Sequence, residues 1–283
     1  MGIDDLIEYF SIYGGIGERV HFDFFETLEE SVERHFVREF AESAEWITPE
    51  YLRQPPRREL LIALARGDAK MLGAFRRAKL GEGVGGALLH ELVEQGTLEL
   101  EHSREAPIRP IPGRPIRKEL RGYRIQDKAR FTAPYLRFWF GFVEPFTREL
   151  ERGEGERFME NYRRHRERAA SLVFERLSSE LLELHQAGTD PLLSKGTHWD
   201  FHSEFDLLAH TRSGELILGE CKFTGRPVCR NELGKLREKA AISGIRVDRY
   251  ALFSRSGFSR ELQESGERDL LLFDLKEFTR LLE

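Results

Sequence analysis

Leu28, Val32, His35, Phe36 and Phe40 recur near helical spacing, and Pro49, Pro55 and Pro56 punctuate the next stretch of chain. The pattern predicts a helix within 28–45. Three short amphipathic runs come next, R-R-E-L-L-I-A-L-A-R-G (57–67), K-M-L-G-A-F-R-R-A-K-L-G (70–81) and G-G-A-L-L-H-E-L-V-E-Q-G (85–96), each closed by glycine as helices commonly are. T-L-E-L-E-H (97–102) then alternates as a strand does, and G-Y-R-I (122–125) is placed to return beside it. Three helices and then a hairpin is the order of a winged helix.

The stretch F-T-A-P-Y-L-R-F-W-F-G-F-V-E-P-F (131–146) holds seven aromatic residues and reads as core or domain interface. A charged helix is expected from about Glu156 through S-L-V-F-E-R-L-S-S-E-L-L-E-L (171–184), with Leu172, Leu177, Leu181 and Leu184 on its buried face and Glu175 and Glu180 beside that stripe. Beyond it the pattern predicts strands near 197–200, 204–210 and 215–223, a helix over 231–244 and a strand over 247–253. A short helix from Ser259, a strand over 270–275 and a closing helix complete the chain. The expected fold is therefore α/β, in three parts: an acidic helical leading segment (1–54), a winged-helix-like region (55–130) and a sheet-containing domain (131–283).

Charge refines this picture. Residues 1–50 carry 13 acidic and 3 basic side chains, whereas 104–137 and 222–260 each carry 10 basic against 3 acidic. Opposite-sign regions within a chain of net charge -5 point to a polyanion partner for the basic stretches, or else to a solvated surface. The basic cluster R-P-I-P-G-R-P-I-R-K-E-L-R (109–121) is where a wing would lie, while 82–96 contains no Arg or Lys, which argues against major-groove reading by that helix. Protein docking is the competing role. No run approaches the roughly 18 uncharged apolar residues that a membrane span needs, and the first ten residues are acidic where a secretory signal would be basic. A cytoplasmic protein is expected. Two cysteines, Cys221 and Cys229, are too few for a disulfide framework.

The candidate chemistry sits where an apolar strand ends in charge, at Glu220-Cys221-Lys222. The turn T-R-S-G (211–214) makes 204–210 and 215–223 an antiparallel hairpin. If Thr211 faces Glu215, Asp206 falls opposite Glu220, with Cβ atoms about 5 Å apart. Two carboxylates that close repel unless a cation lies between them. Slipping the register by one residue would send them to opposite faces.

Asp206 with Glu220-x-Lys222 resembles the signature of the PD-(D/E)XK nuclease superfamily, and the element order resembles its αβββαβ, restriction-endonuclease-like core. More specifically, R-G-Y-R-I-Q-D, P-Y-L-R-F-W-F-G-F-V-E-P, F-E-R-L, H-W-D…E-F-D-L-L-A and G-E-C-K-F-T-G-R-P-V are similar to the nuclease-like domain of unknown function found C-terminal to archaeal-type DEXX-box ATPases. That resemblance covers about Pro56 to Ser259, and Y-G-G-I-G resembles the segment leaving the ATPase. The chain has no G-x-x-x-x-G-K-[ST], so no phosphate-cradling loop is expected; Gly14, Gly15 and Gly17 read as a turn, and the chain as an ATPase-less relative.

The resemblance implies a magnesium- or manganese-dependent deoxyribonuclease. Asp206, Glu220 and the backbone carbonyl of Cys221 would hold the metal, Glu175 would complete the acidic cluster, and Lys222 would meet charge developing on the phosphate. Arg109, Arg114, Arg117, Lys118 and Arg226 are the candidate DNA contacts. Glu204 shares a face with Asp206 and reads as an edge salt bridge; His198 and His202 flank Trp199 and read as structural. A non-catalytic DNA- or protein-binding module is the alternative, with a separate ATPase or other protein meeting the acidic N-terminal segment.

Overall fold

The computed structural model describes residues 2–17, 20–23, 25–107, 115 and 118–282. Its contacts divide the chain into two compact units, one of Glu8–His102 and Gln126–Ala169, the other of Met1–Ile7, Ser103–Ile125 and Ala170–Glu283. These differ from the three linear parts expected, because 103–125 groups with the sheet rather than with the helices that precede it.

The first unit is mainly helical. Helix α1 (Ile3–Tyr13) begins in the other unit and ends here, a helix the sequence pattern did not predict. After the turn at Gly14 and Gly15, α2 (Leu28–Glu33) starts at a capping box: Thr27 accepts the Glu30 N–H while the Glu30 carboxylate accepts the Thr27 N–H at 2.7 Å. A π-helical turn (Arg34–Arg38) and α3 (Phe40–Glu45) continue the predicted helical segment. The three amphipathic runs are α4 (Arg57–Arg66), α5 (Met71–Arg77) and α6 (Glu82–Glu94).

A two-stranded antiparallel sheet comes next, β1 (Leu98–Glu101) with β2 (Lys128–Phe131). The returning strand is thus 128–131 and not 122–125. Ala129 is buried in the helical core and its N–H is taken by the Ala69 carbonyl, whereas Tyr123 hydrogen-bonds Glu105 instead. The aromatic stretch forms α7 (Pro134–Phe138) and a second π-helical turn (Trp139–Val143), and leads into α8 (Thr147–Leu150). It is core: Trp139 and Phe140 are fully buried, packed with Phe36, Phe40, Phe131 and Phe138. The one carboxylate within that stretch, Glu144, is buried but accepts from Arg58 at 2.7 Å and from the Trp139 indole at 2.5 Å, which satisfies it.

Helix α9 (Glu156–Gln186) contributes residues up to Ala169 to this unit and the remainder to the second. There the chain forms β3 (Leu192–Trp199), β4 (Glu204–Thr211), β5 (Leu216–Lys222), α10 (Arg230–Ile242), β6 (Arg249–Ser254), α11 (Arg260–Gln263) and β7 (Leu270–Asp274). The five strands lie in sequence order, antiparallel through β5 and parallel from β5 to β7. Alternation explains both covered faces: Leu207, Ala209, Ile217 and Cys221 pack with Ala170, Phe174 and Leu181 of α9, and Leu208, Leu218 and Leu252 pack with Leu233, Leu236 and Ala240 of α10. Each such leucine contributes about 1.5–3 kcal/mol by leaving water. No described helix is long and apolar enough to cross a membrane.

Candidate functional site

β4 and β5 pair as Leu207↔Gly219, Leu208↔Leu218, Ala209↔Ile217 and His210↔Leu216. The hairpin closes through Thr211, whose N–H donates to the Glu215 carbonyl at 3.0 Å, with Gly214 at φ 96 in the turn. The same register carried one step further sets Asp206 against Glu220, as the turn implied. The Asp206 Oδ2 accepts the Cys221 N–H at 2.8 Å, which fixes that carboxyl at the end of β5.

Glu220 is buried, and two ammonium groups meet it: Lys222 Nζ lies 2.5 Å from Oε1 and Lys239 Nζ 3.3 Å from Oε2. Asp206 is half-buried. Desolvation, and then the negative charge of Glu220, push the Asp206 carboxyl up to about 6, against the lowering pull of the Cys221 N–H, Lys222 and Lys239. Burial works to lower the Lys222 ammonium, but its hydrogen bond to Glu220 and the nearby carboxylates win, so its pKa is raised and it stays cationic. The Cys221 thiol, buried toward α9, is pushed well up by desolvation and then by the charges of Asp206 and Glu175.

The structure therefore gathers Asp206, Glu220 and Lys222 at one end of the sheet, whereas Glu175 of α9 acts on the Cys221 thiol, on the opposite face of β5, and is not brought into the carboxylate pair. Among the described residues no group of three or more His, Cys, Asp or Glu side chains is arranged to hold a metal ion. Asp206 and Glu220 are the residues that could hold a hard divalent cation: both offer carboxylate oxygens, and the Asp206 carboxyl, raised by burial and then by the charge of Glu220, faces a negative charge that a cation would offset. Magnesium is often held by one or two carboxylates, its other positions going to water and substrate phosphate.

Lys239 was not singled out by the sequence pattern. The signal was present, since it lies three residues after the buried Leu236 and precedes the buried Ala240, at the margin of the apolar stripe of α10. Of the candidate DNA contacts, Lys118 and Arg226 are exposed, and Arg109, Arg114 and Arg117 lie outside the described residues. Glu204 is exposed at the start of β4 opposite Trp199. His198 is buried beside Phe205, where desolvation lowers its pKa, and His202 is exposed.

Residues 139–236 match the family DUF234, described as archaea bacterial proteins of unknown function. The matched span runs from the second π-helical turn through β5 into α10, so it includes Glu175, Asp206, Glu220 and Lys222 but ends before Lys239. No curated protein and no solved structure matches the chain.

Proposed function

We propose that the chain is a magnesium-dependent DNA nuclease of the PD-(D/E)XK type. The observation that carries this reading is the β4–β5 register, which puts Asp206 against Glu220 and sends Lys222 to the same end of the sheet. The order α9, β3, β4, β5, α10, β6 supports it, being the αβββαβ order of that superfamily's core. A bound divalent ion would lower the pKa of water and offset phosphate charge. For their part, Asp206 and Glu220 would hold it, while Lys222, cationic and hydrogen-bonded to a carboxylate that the ion would share, would turn toward the phosphate as charge develops there. α4 to α6 and then the β1–β2 pair have the order of a winged helix; we read that part as a docking element for DNA or protein, and the acidic first fifty residues as a surface for a separate ATPase or other partner.

One observation favours the non-catalytic alternative. Both Glu220 oxygens have lysine partners, so the site is electrostatically satisfied without a metal to the extent of one carboxylate. Incubating the protein with supercoiled and linear DNA plus magnesium or manganese separates the readings. Wild type is expected to cut, and Lys222→Ala to lose at least about a hundredfold in rate with DNA affinity nearly unchanged, since one cation among many matters little to binding but much to the transition state. A wild type that never cuts would favour the binding module, and a Lys222→Ala that cuts normally would remove Lys222 from the chemistry.

A further inference from the structure

The β3–β4 turn is tied by several side-chain hydrogen bonds, yet it keeps an aromatic ring in water. Asp200 Oδ1 accepts the backbone N–H groups of His202 and Ser203, each at 2.7 Å. Glu105 accepts the Phe201 N–H at 3.3 Å through one oxygen and the Tyr123 hydroxyl at 2.6 Å through the other. Arg104 ties the same segment to the sheet by donating to the Lys195 carbonyl at 2.7 Å. Phe201, at the centre of this network, remains 40% exposed. Its ring stands edge-on to Tyr123, with centroids 5.0 Å apart, and to His202, with centroids 5.1 Å apart.

The position of this cluster gives it a use. The turn leads directly into β4, where Asp206 lies two residues beyond Glu204, roughly 7 Å further along the strand. Phe201 precedes Asp206 by five residues, so the aromatic turn lies at the end of β4 that carries Asp206. The segment supplying Tyr123 is rich in basic residues, with Arg104, Lys118, Arg121 and Arg124 exposed.

We infer that Phe201, braced by Tyr123 and His202, is a stacking platform for an unpaired base of single-stranded DNA, which leads the adjoining phosphate to the site at Asp206 and Glu220. Every base has a π-face, so such a platform is tolerant of sequence, while a duplex offers it no free base. Holding the ring rigidly before binding reduces the ordering cost at binding. The basic neighbours supply the complementary charge for the backbone. This deepens the nuclease reading and rests on it for the role of the site, but the platform itself is a matter of binding.

The test is fluorescence anisotropy of a short labelled oligothymidylate and of a labelled duplex of the same length, in EDTA so that nothing is cut. Phe201→Ala is expected to weaken single-strand affinity roughly 5- to 100-fold, the range for losing one base stack, with duplex affinity unchanged and Phe201→Trp restoring it. Phe201 is partly exposed, so the variants should keep the wild-type melting temperature within a degree or two, which the same samples can report. Wild-type affinity in Phe201→Ala, an equal loss on both DNAs, or no binding of single strands by the wild type would overturn the inference. A protein that binds single strands through Phe201 yet never cuts would instead sink the nuclease reading and leave the platform standing.

Discussion

At the scale of single residues, Asp206 is the most informative group in the chain. Its carboxyl is pushed up to about 6 by burial and by Glu220, from an ordinary value of 3.8. The folded protein then holds that proton more tightly than the unfolded chain does. The stability contributed is fully present below about pH 4 and is lost as pH rises through about 6. By the equivalence of about 1.4 kcal/mol per unit the loss is on the order of 1–3 kcal/mol. Asp206→Asn keeps an oxygen for the Cys221 N–H and removes the charge, so it should be the more stable protein at pH 7 by that amount and show no advantage at pH 4. Urea unfolding of both proteins at the two pH values measures this, and an equal difference at both would mean Asp206 does not titrate as described.

At the scale of elements, the β4–β5 hairpin was legible because its turn is spelled by Thr211, Ser213 and Gly214 and its strands alternate, so register came from local chemistry. β3 was not fully legible. It begins at Leu192, five residues before the pattern suggested, because its pairing is interrupted by two register shifts around Ser194 and Gly196 that spoil the alternation. β2 was misplaced for a different reason, since what fixes 128–131 is the pairing with Glu101 and the Ala69 carbonyl, contacts invisible to a local pattern. The hairpin's close approach also makes a prediction. A Cβ on Gly219 would lie 3.0 Å from the Leu207 Cβ and 3.4 Å from the Phe253 ring, one residue from Glu220. Gly219→Val should therefore destabilise by about 1–3 kcal/mol in urea unfolding through overpacking between β4 and β6. A neutral Gly219→Val would show that the strands can part there without cost, and that the register is held elsewhere.

At the scale of the molecule, residue pattern gave the mixed α/β character and most elements but not the grouping of the contacts. The basic stretch after β1 looks local to the helices that precede it, yet Arg104, Glu105 and Tyr123 make their hydrogen bonds with one another and with β3 and its turn. Such long-range partners leave no periodic trace in the sequence. The placement of Asp206, Glu220 and Lys222 was more legible than the fold around them, because two carboxylates and a lysine at fixed positions on a hairpin depend only on register. Lys239, brought to Glu220 by the packing of α10, was not.

If the β4–β5 hairpin builds a two-carboxylate site suited to a hard divalent cation, metal-dependent melting will register it without knowledge of any substrate. A cation bound only by the folded state stabilises it by about 2.7 kcal/mol at a hundredfold excess over its dissociation constant. Millimolar magnesium or manganese at pH 7 should raise the melting temperature of wild type by several degrees, while Asp206→Asn should start higher and not respond. If wild type shows no metal shift and Asp206→Asn melts below it, the carboxylates serve the fold through Cys221, Lys222 and Lys239 alone, and the metal site is contradicted.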